Sequence, residues 1–151
     1  MSTPPTLSGI HHIRLPVSSI EQTFPFYQDI LGLKHIAACD HINKQGERFA
    51  VILESNHRGV PMLVELRRNP EQAAKQVYTN PIVWAVSKRS DLDVWKGWLE
   101  KQDVKCSKVL TGIKVWVLCA LDPDEKMVRL YCDESHEMTT DYDVDEFWLR
   151  D

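Results

Sequence analysis

Two stretches of the chain alternate between apolar and polar residues, and each leads into a segment with helical spacing. Residues 10–17 and 81–86 carry the alternation, which is typical of half-buried strands. In residues 18–31 and 90–102, which follow them, apolar side chains recur at helical spacing. The pattern therefore predicts a strand and then an amphipathic helix in each half of the chain.

The first predicted helix has a clear start and an irregular middle. Ser18 and Glu21 have the spacing of a capping box, so we expect the helix to begin there. Pro25 lies inside the helix and removes a backbone donor, which predicts a kink or a first turn that starts later than the capping box suggests. Gly32 is a plausible stop.

Three further strands are expected after each helix. They are residues 34–40, 47–54 and 60–67 in the first half, and 104–110, 113–120 and 126–132 in the second. A strand, a helix and three strands thus occur twice. Helices on one face of a mostly antiparallel sheet make an α+β fold.

The chain is interpreted as one domain, residues 1–151, made of two modules. The modules cover about residues 9–68 and 81–133, and a linker at 69–80 with room for a short helix joins them. Residues 134–151 form an acidic tail with Phe147, Trp148 and Leu149 near its end. Two alternatives stay open for this tail, a disordered segment or a strap that docks these apolar residues on a neighbour. His57, Arg58 and Gly59 are expected to form a turn.

The two halves carry chemically different residues at positions that match in the repeat. When the two halves are laid on each other, His12 meets Pro81 and Glu65 meets Arg129. A histidine and a carboxylate can bind a metal ion, whereas proline and arginine cannot. Half of a four-residue site is therefore missing.

Composition and charge limit the classes of partner that the protein is expected to bind. The chain has 151 residues, 43% of them hydrophobic and 26% charged, with a formal net charge of -4, which is ordinary for a soluble globular protein. This mild charge indicates neither nucleic acid nor a membrane as partner. No apolar run is long enough to span a bilayer, and the start lacks a secretory signal, so a cytoplasmic protein is expected. The four cysteines have no CxxC spacing, so no disulfide framework is expected, and they are interpreted as four small buried or half-buried side chains.

Several motifs resemble the vicinal oxygen chelate superfamily, which includes glyoxalases, bleomycin resistance proteins and extradiol dioxygenases. The motifs are residues 9–17 (GIHHIRLPV), 26–33 (FYQDILGL), 63–66 (LVEL) and 122–124 (DPD). The resemblance covers roughly residues 9 to 133. It implies two βαβββ modules that form an incomplete barrel around a cleft, often in a homodimer.

The resemblance also implies where a divalent metal would be bound. Family metal sites use His12 and Glu65 at positions that match here, but Pro81 and Arg129 stand at the other two. No metal cofactor is expected from this incomplete set, although the two matching residues leave one open. For Glu65 we expect an ion pair with Arg129.

The sharper hypothesis concerns a ligand of the cleft. Arg129, with Arg14 or Arg67, is expected to receive an anionic or carbonyl group, because guanidinium suits planar acceptors with two oxygens. Trp116 and Tyr131 are candidate walls of the pocket.

Two functions remain open at this point. The first is a small-molecule-binding protein of the kind that includes antibiotic-resistance binders, with an anionic or aromatic ligand and no metal. The second is an enzyme, a glyoxalase-like or dioxygenase-like lyase, isomerase or oxidoreductase. It would use His12 and Glu65 as metal ligands or for proton transfer, with His57 or His136 of a partner chain as a third ligand.

Overall fold

The chain divides into two compact units, Met1–Pro70 and Glu71–Asp151, and the division falls at the start of the predicted linker. The structure, a computed structural model, describes residues 3–57, 59–145 and 147–149, with only the backbone described at 56 and 57. Arg58, part of a predicted turn, lies outside the described residues. The assignment of both units to a single domain stays a prediction.

The first unit contains a five-stranded sheet. Its strands are β1 Ile13–Val17, β2 Lys34–His35, β3 His41–Ile42, β4 Arg48–His57 and β5 Val60–Arg68. The sheet order is β1-β5-β4-β2, and β3 also pairs with β4. β1 runs parallel to β5, and the other pairs are antiparallel. The alternation predicted for β1 is confirmed, because Leu15 and Val17 are buried while Arg14 is exposed.

The helix of the first unit changes type at Pro25. Helix α1 spans Ile20–Pro25, and a π-helix continues over Phe26–Ile30. Proline has no N–H to donate. After it the backbone hydrogen bonds reach five residues back instead of four, as in the 3.0 Å bond that Leu31 N donates to Phe26 O. At Pro25 the structure thus shows a change of helix type, and the kink stays a prediction.

The start of α1 lies one residue later than the sequence pattern predicts. Ser19, not Ser18, is the N-cap, and its Oγ accepts a bond from Gln22 N at 3.3 Å. Two adjacent serines have equal capping chemistry, so the pattern leaves this register open.

The second unit repeats the topology of the first. After α2, Pro70–Lys75, in the linker come β6 Val83–Val86, α3 Arg89–Lys101, β7 Leu110–Thr111, β8 Val115–Leu121 and β9 Met127–Ser135. The order is β6-β9-β8-β7, with β6 parallel to β9. The register pairs Val83 with Arg129, as Arg14 pairs with Glu65 in the first unit. The α+β fold with two βαβββ modules is confirmed.

Two predicted strands are wrong over most of their length, and in both a polar side chain takes a backbone partner. Within 34–40, only the first two residues form a strand, and the Asp40 carboxylate accepts Ile52 N at 3.3 Å. Within 104–110, Cys106 forms an isolated bridge, and Ser107 Oγ accepts Cys119 N at 3.0 Å. Side-chain acceptors of this kind compete with the regular ladder.

The acidic tail is a strap that folds back on its own unit. We call residues 136–145 and 147–149 the C-terminal strap; residue 146 lies outside the described part. Thr139 N donates to Ile113 O at 3.1 Å, and Asp143 N donates to Thr111 O at 2.8 Å. Trp148 belongs to the buried core of the second unit, so the alternative of a disordered segment is wrong for the described part of the tail.

Within the described residues, no helix has the length and apolar character needed to cross a membrane. All four cysteines are free, and three of them are buried or half-buried as expected, whereas Cys39 is exposed at the end of a 3-10 turn.

Candidate functional site

Glu65 is the centre of a polar cluster in the first unit. Its side chain is 2% exposed, although it is charged. Arg67 Nε lies 2.5 Å from Oε1, and His12 Nε2 and Arg14 Nε lie 3.2 and 3.5 Å from Oε2. Four residues singled out from the sequence are therefore brought together.

Strand register explains this meeting. Arg14 of β1 is paired with Glu65 of β5, and Arg67 lies two positions further along β5, so all three side chains share one sheet face. His12 lies two positions before Arg14 and faces the same side. The alternation was visible in the sequence, which is why these residues could be selected.

His41 also belongs to this cluster and was not selected. Its Nδ1 lies 3.1 Å from Arg67 Nη2 and 4.0 Å from Glu65 Oε1. Register again explains the contact, because His41 pairs with Ala50 and Ala50 pairs with Arg67. The turn signal at residues 43–46 could have revealed this pairing.

The cations around Glu65 stabilise its charged form. Burial raises the pKa of this carboxyl, but the hydrogen bond and charge of Arg67 and the charge of Arg14 outweigh it, so the pKa is lowered. Glu65 is thus an ionised, neutralised carboxylate at neutral pH. A lowered pKa makes it a weak general base.

The donor set does not fit a divalent metal ion. Among the described residues, no group of three or more His, Cys, Asp or Glu side chains could hold one. Arg67 and Arg14 already place positive charge beside both oxygens of Glu65. His57, a candidate third ligand, has its side chain outside the described residues. His136, the other candidate, lies against Glu137 O at 2.7 Å through Nδ1.

Arg129 occupies the position in the second unit that Glu65 occupies in the first. Its Nη2 donates to the backbone carbonyl of Trp148 at 2.8 Å, and its buried Nε has no hydrogen-bond partner within the described part. A buried donor without an acceptor is uncommon in folded proteins and costs free energy. The pairing of Arg129 with Glu65 concerns residues of different units and stays a prediction.

Cys119 lies beside Arg129 and has a weakly nucleophilic thiol. Its Sγ is 3.7 Å from the Trp148 carbonyl oxygen, and the residue is fully buried. Burial raises the pKa of this thiol to about 11, although the nearby Arg129 charge acts in the opposite direction. A neutral buried thiol is a poor nucleophile.

A cavity of about 700 Å³ opens in the second unit. Its lining combines apolar, aromatic and charged residues: Gly112, Ile113, Lys114, Val115, Val117, Arg129, Tyr131, Tyr142, Asp143, Val144 and Leu149. Two predicted ligand-binding residues, Arg129 and Tyr131, are thus on its wall. Lys114 and Tyr142 were not anticipated, since nothing in the sequence showed that the tail returns to this hairpin.

Trp116 is not among the residues that line this cavity. Its ring packs against His136 with centroids 4.8 Å apart, and the Arg89 guanidinium lies 5.9 Å from the ring centroid. The residues on either side of it in β8, Val115 and Val117, line the cavity instead. Alternation along the strand accounts for this difference.

Comparison with solved structures shows the same fold at low sequence identity. A glyoxalase/dioxygenase from Nostoc punctiforme is 17% identical with a TM-score of 0.65, covering 89% of this chain and 97% of its own. A glyoxylase/bleomycin resistance protein/dioxygenase domain from Frankia sp. EAN1pec is 16% identical with a TM-score of 0.63, covering 85% and 100%. TnmS3, an antibiotic binding protein from Streptomyces sp. CB03234, is 15% identical with a TM-score of 0.62, covering 87% and 100%.

A search of curated protein sequences finds no match to this chain. The sequence pattern of the Glyoxalase/Bleomycin resistance protein/Dioxygenase superfamily matches residues 9–130, which is most of the chain. Together with the duplicated βαβββ topology, this match shows that the chain belongs to the Glyoxalase/Bleomycin resistance protein/Dioxygenase superfamily.

Proposed function

We propose that this protein binds a small anionic or aromatic molecule in the cavity of the second unit, without a metal cofactor. The observation that carries the proposal is the convergence of Arg129 and two tyrosines on one cavity. The volume of about 700 Å³ is in the range of small-molecule sites.

The lining supplies the recognition chemistry such a ligand needs. Arg129 and Lys114 offer positive charge, and a guanidinium matches a planar carboxylate or carbonyl group. Tyr131 and Tyr142 combine apolar ring faces with a hydroxyl. TnmS3, which has the same fold, is an antibiotic binding protein, and this supports the same class of function here.

Arg14 and Arg67 lie in the first unit and are not among the residues that line this cavity, so they are candidates for a separate anion contact. Both contact Glu65, and part of their charge is compensated by it. Arg14 is the better placed of the two, because 56% of its side chain is exposed, against 29% for Arg67.

An enzymatic function is the second candidate, and one contact favours it. His12 Nε2 lies 3.2 Å from the buried Glu65 carboxylate while a third of the His12 side chain stays exposed. A buried carboxylate that orients a histidine is a familiar arrangement for a general base. In this proposal His12 moves the proton, and Glu65 positions it.

Substitution of Arg129 tests the binding function. With dialysed protein and a panel of aromatic carboxylates, we expect ligand-dependent thermal shifts that Arg129→Ala lowers, with binding weakened about tenfold or more. Arg89→Ala removes the same charge from α3 and is the matched control, since Arg89 is not part of the lining. Equal shifts for the Arg129 variant and wild type would contradict the proposal.

Two further measurements separate the candidates. If His12→Gln retains ligand binding but abolishes turnover of a bound compound, the enzymatic function is favoured. Near-stoichiometric metal that is lost in His12→Ala would contradict the absence of a cofactor. A homodimer, implied by the family resemblance, and a location in the cytoplasm, expected from the sequence, are part of the proposal, and sedimentation equilibrium tests the dimer.

A further inference from the structure

We infer that the C-terminal strap is an internal occupant of the ligand site, and that an aromatic carboxylate displaces it. The inference rests on the proposed function and names both the ligand class and its regulation. In the resting state Trp148 fills the place of the ligand ring, and its carbonyl group fills the place of the carboxylate.

The first support is the setting of the Trp148 ring. Only 8% of this residue is exposed, and it packs in an apolar cluster with Leu110, Val117, Cys119, Leu121 and Met127. The cluster lies on the sheet face that carries Arg129, because Cys119 is paired with Arg129 and Leu121 with Met127. The sheet therefore has an aromatic slot directly beside a guanidinium.

The second support is the incomplete bonding of Arg129. The strap supplies one carbonyl oxygen to Nη2, and the buried Nε is left without an acceptor among the described residues. A carboxylate has two oxygens in the spacing of the guanidinium fork, and it would satisfy Nε and Nη2 together. An aromatic carboxylate therefore matches Arg129 better than the strap does.

The third support is the way in which the strap is held. Near its middle, the Asp143 carboxylate accepts Thr111 N at 2.6 Å and lies 3.2 Å from Lys108 Nζ. Strap residues Tyr142, Asp143 and Leu149 form part of the cavity wall. A ligand in the cavity thus already touches the strap next to Trp148. The contacts of the Asp143 carboxylate act as a polar clasp beside the backbone bonds of the strap and the packing of Trp148, and their release lowers the cost of opening the slot.

The opposite behaviour would be a strap that closes over the ligand as a lid. The two differ in the sign of one measurable effect. Displacement makes the strap more mobile when ligand binds, whereas a lid makes it less mobile. Hydrogen exchange of the strap amides Thr139 and Asp143, which donate to backbone carbonyls, reports this sign.

The experiment measures hydrogen exchange of the full chain with indole-3-acetate, with phenylacetate and with neutral indole. We expect faster exchange in the strap with both carboxylates. Indole, which lacks the carboxylate, should require at least about tenfold higher concentration for the same effect. Slower or unchanged exchange with bound carboxylate, or equal potency of indole, would overturn the inference while leaving the binding function intact.

A matched pair of variants tests the same coupling by affinity. Asp143→Ala removes the clasp and should tighten binding of indole-3-acetate about tenfold, because the open state becomes more populated. Asp141→Ala removes the same charge from an exposed strap position and should leave affinity within about twofold. Equal affinities of the two variants would contradict the inference.

Trp148→Ala extends the test to the slot itself. It should bind indole-3-acetate more tightly than wild type, since the slot is vacated. If this variant does not fold, the Asp143 pair still decides the question. Failure of the wild type and both aspartate variants to bind any aromatic carboxylate would overturn the proposed function together with the inference.

Discussion

At the scale of single residues, each module carries a charged side chain at the same place, and the two modules compensate that charge differently. Glu65 and Arg129 hold equivalent places in the repeat. Glu65 is buried and Arg129 is half-buried. Glu65 is neutralised by side-chain cations, while Arg129 is met by a backbone carbonyl. Charges in such settings are stable only when they are paired or hydrogen-bonded.

Glu65→Gln should therefore destabilise the first unit. The substitution removes the negative charge and leaves Arg67 beside an uncharged buried amide, so we expect a loss of about 2 kcal/mol in the free energy of unfolding. The expected loss of stability is modest because the side chains of Arg14 and Arg67 stay partly exposed to water. Urea denaturation at pH 7 measures it.

The control for this prediction is Glu47→Gln. Glu47 lies 3.8 Å from Arg68 and is 62% exposed, so its loss should cost no more than about 0.5 kcal/mol. Equal effects of the two substitutions would mean that burial of Glu65 contributes nothing to the stability of its unit.

At the scale of elements, hydrophobic alternation predicted the strands that carry a buried face. β1, β5 and β9 were placed from this pattern, since their apolar sets face the core. Segments 34–40 and 104–110 were placed wrongly because Asp40 and Ser107 bind backbone groups through their side chains. Periodicity alone does not show such side-chain bonds.

Ser107→Ala tests whether that side-chain bond stabilises the second unit. Ser107 is 3% exposed, and its Oγ accepts the buried amide of Cys119. Without it the amide is left unpaired, so we expect a loss of about 1–2 kcal/mol in the free energy of unfolding. Ser87→Ala, at an exposed position, is the control and should have almost no effect.

The candidate site was only partly visible in the sequence for a related reason. Arg129 and Tyr131 could be assigned to a shared face by alternation. The contributions of Tyr142 and Val144 depend on the path of the strap, which lacks a periodic pattern. Trp116 does not line the cavity because alternation along β8 gives the cavity face to its neighbours Val115 and Val117.

At the scale of the whole molecule, carboxylates with lowered pKa values set the response to acid. The pKa of Glu65 is lowered by Arg67 and Arg14 against the effect of burial, and that of Asp143 is lowered chiefly by the Thr111 amide. A group whose folded pKa is lowered stabilises the protein above its unfolded pKa. This stability is lost as the pH falls through the folded pKa.

We therefore expect the free energy of unfolding to hold above about pH 5 and to fall below about pH 4. Urea titrations across this range measure the slope. The double variant Glu65→Gln, Asp143→Asn should have a shallower acid limb than wild type, because fewer protons are taken up on unfolding. A limb of the same steepness in both proteins would show that other carboxylates control acid unfolding.

The return of Trp148 to the core has a consequence for deletion experiments. A chain cut after β9 would lose a large aromatic side chain from the interior of the second unit, together with the acceptor of the Arg129 guanidinium. The apolar surface exposed by the deletion would favour aggregation. Loss of function in such a shortened protein would report a damaged interior, and point substitutions are the sounder means of dissecting this end of the molecule.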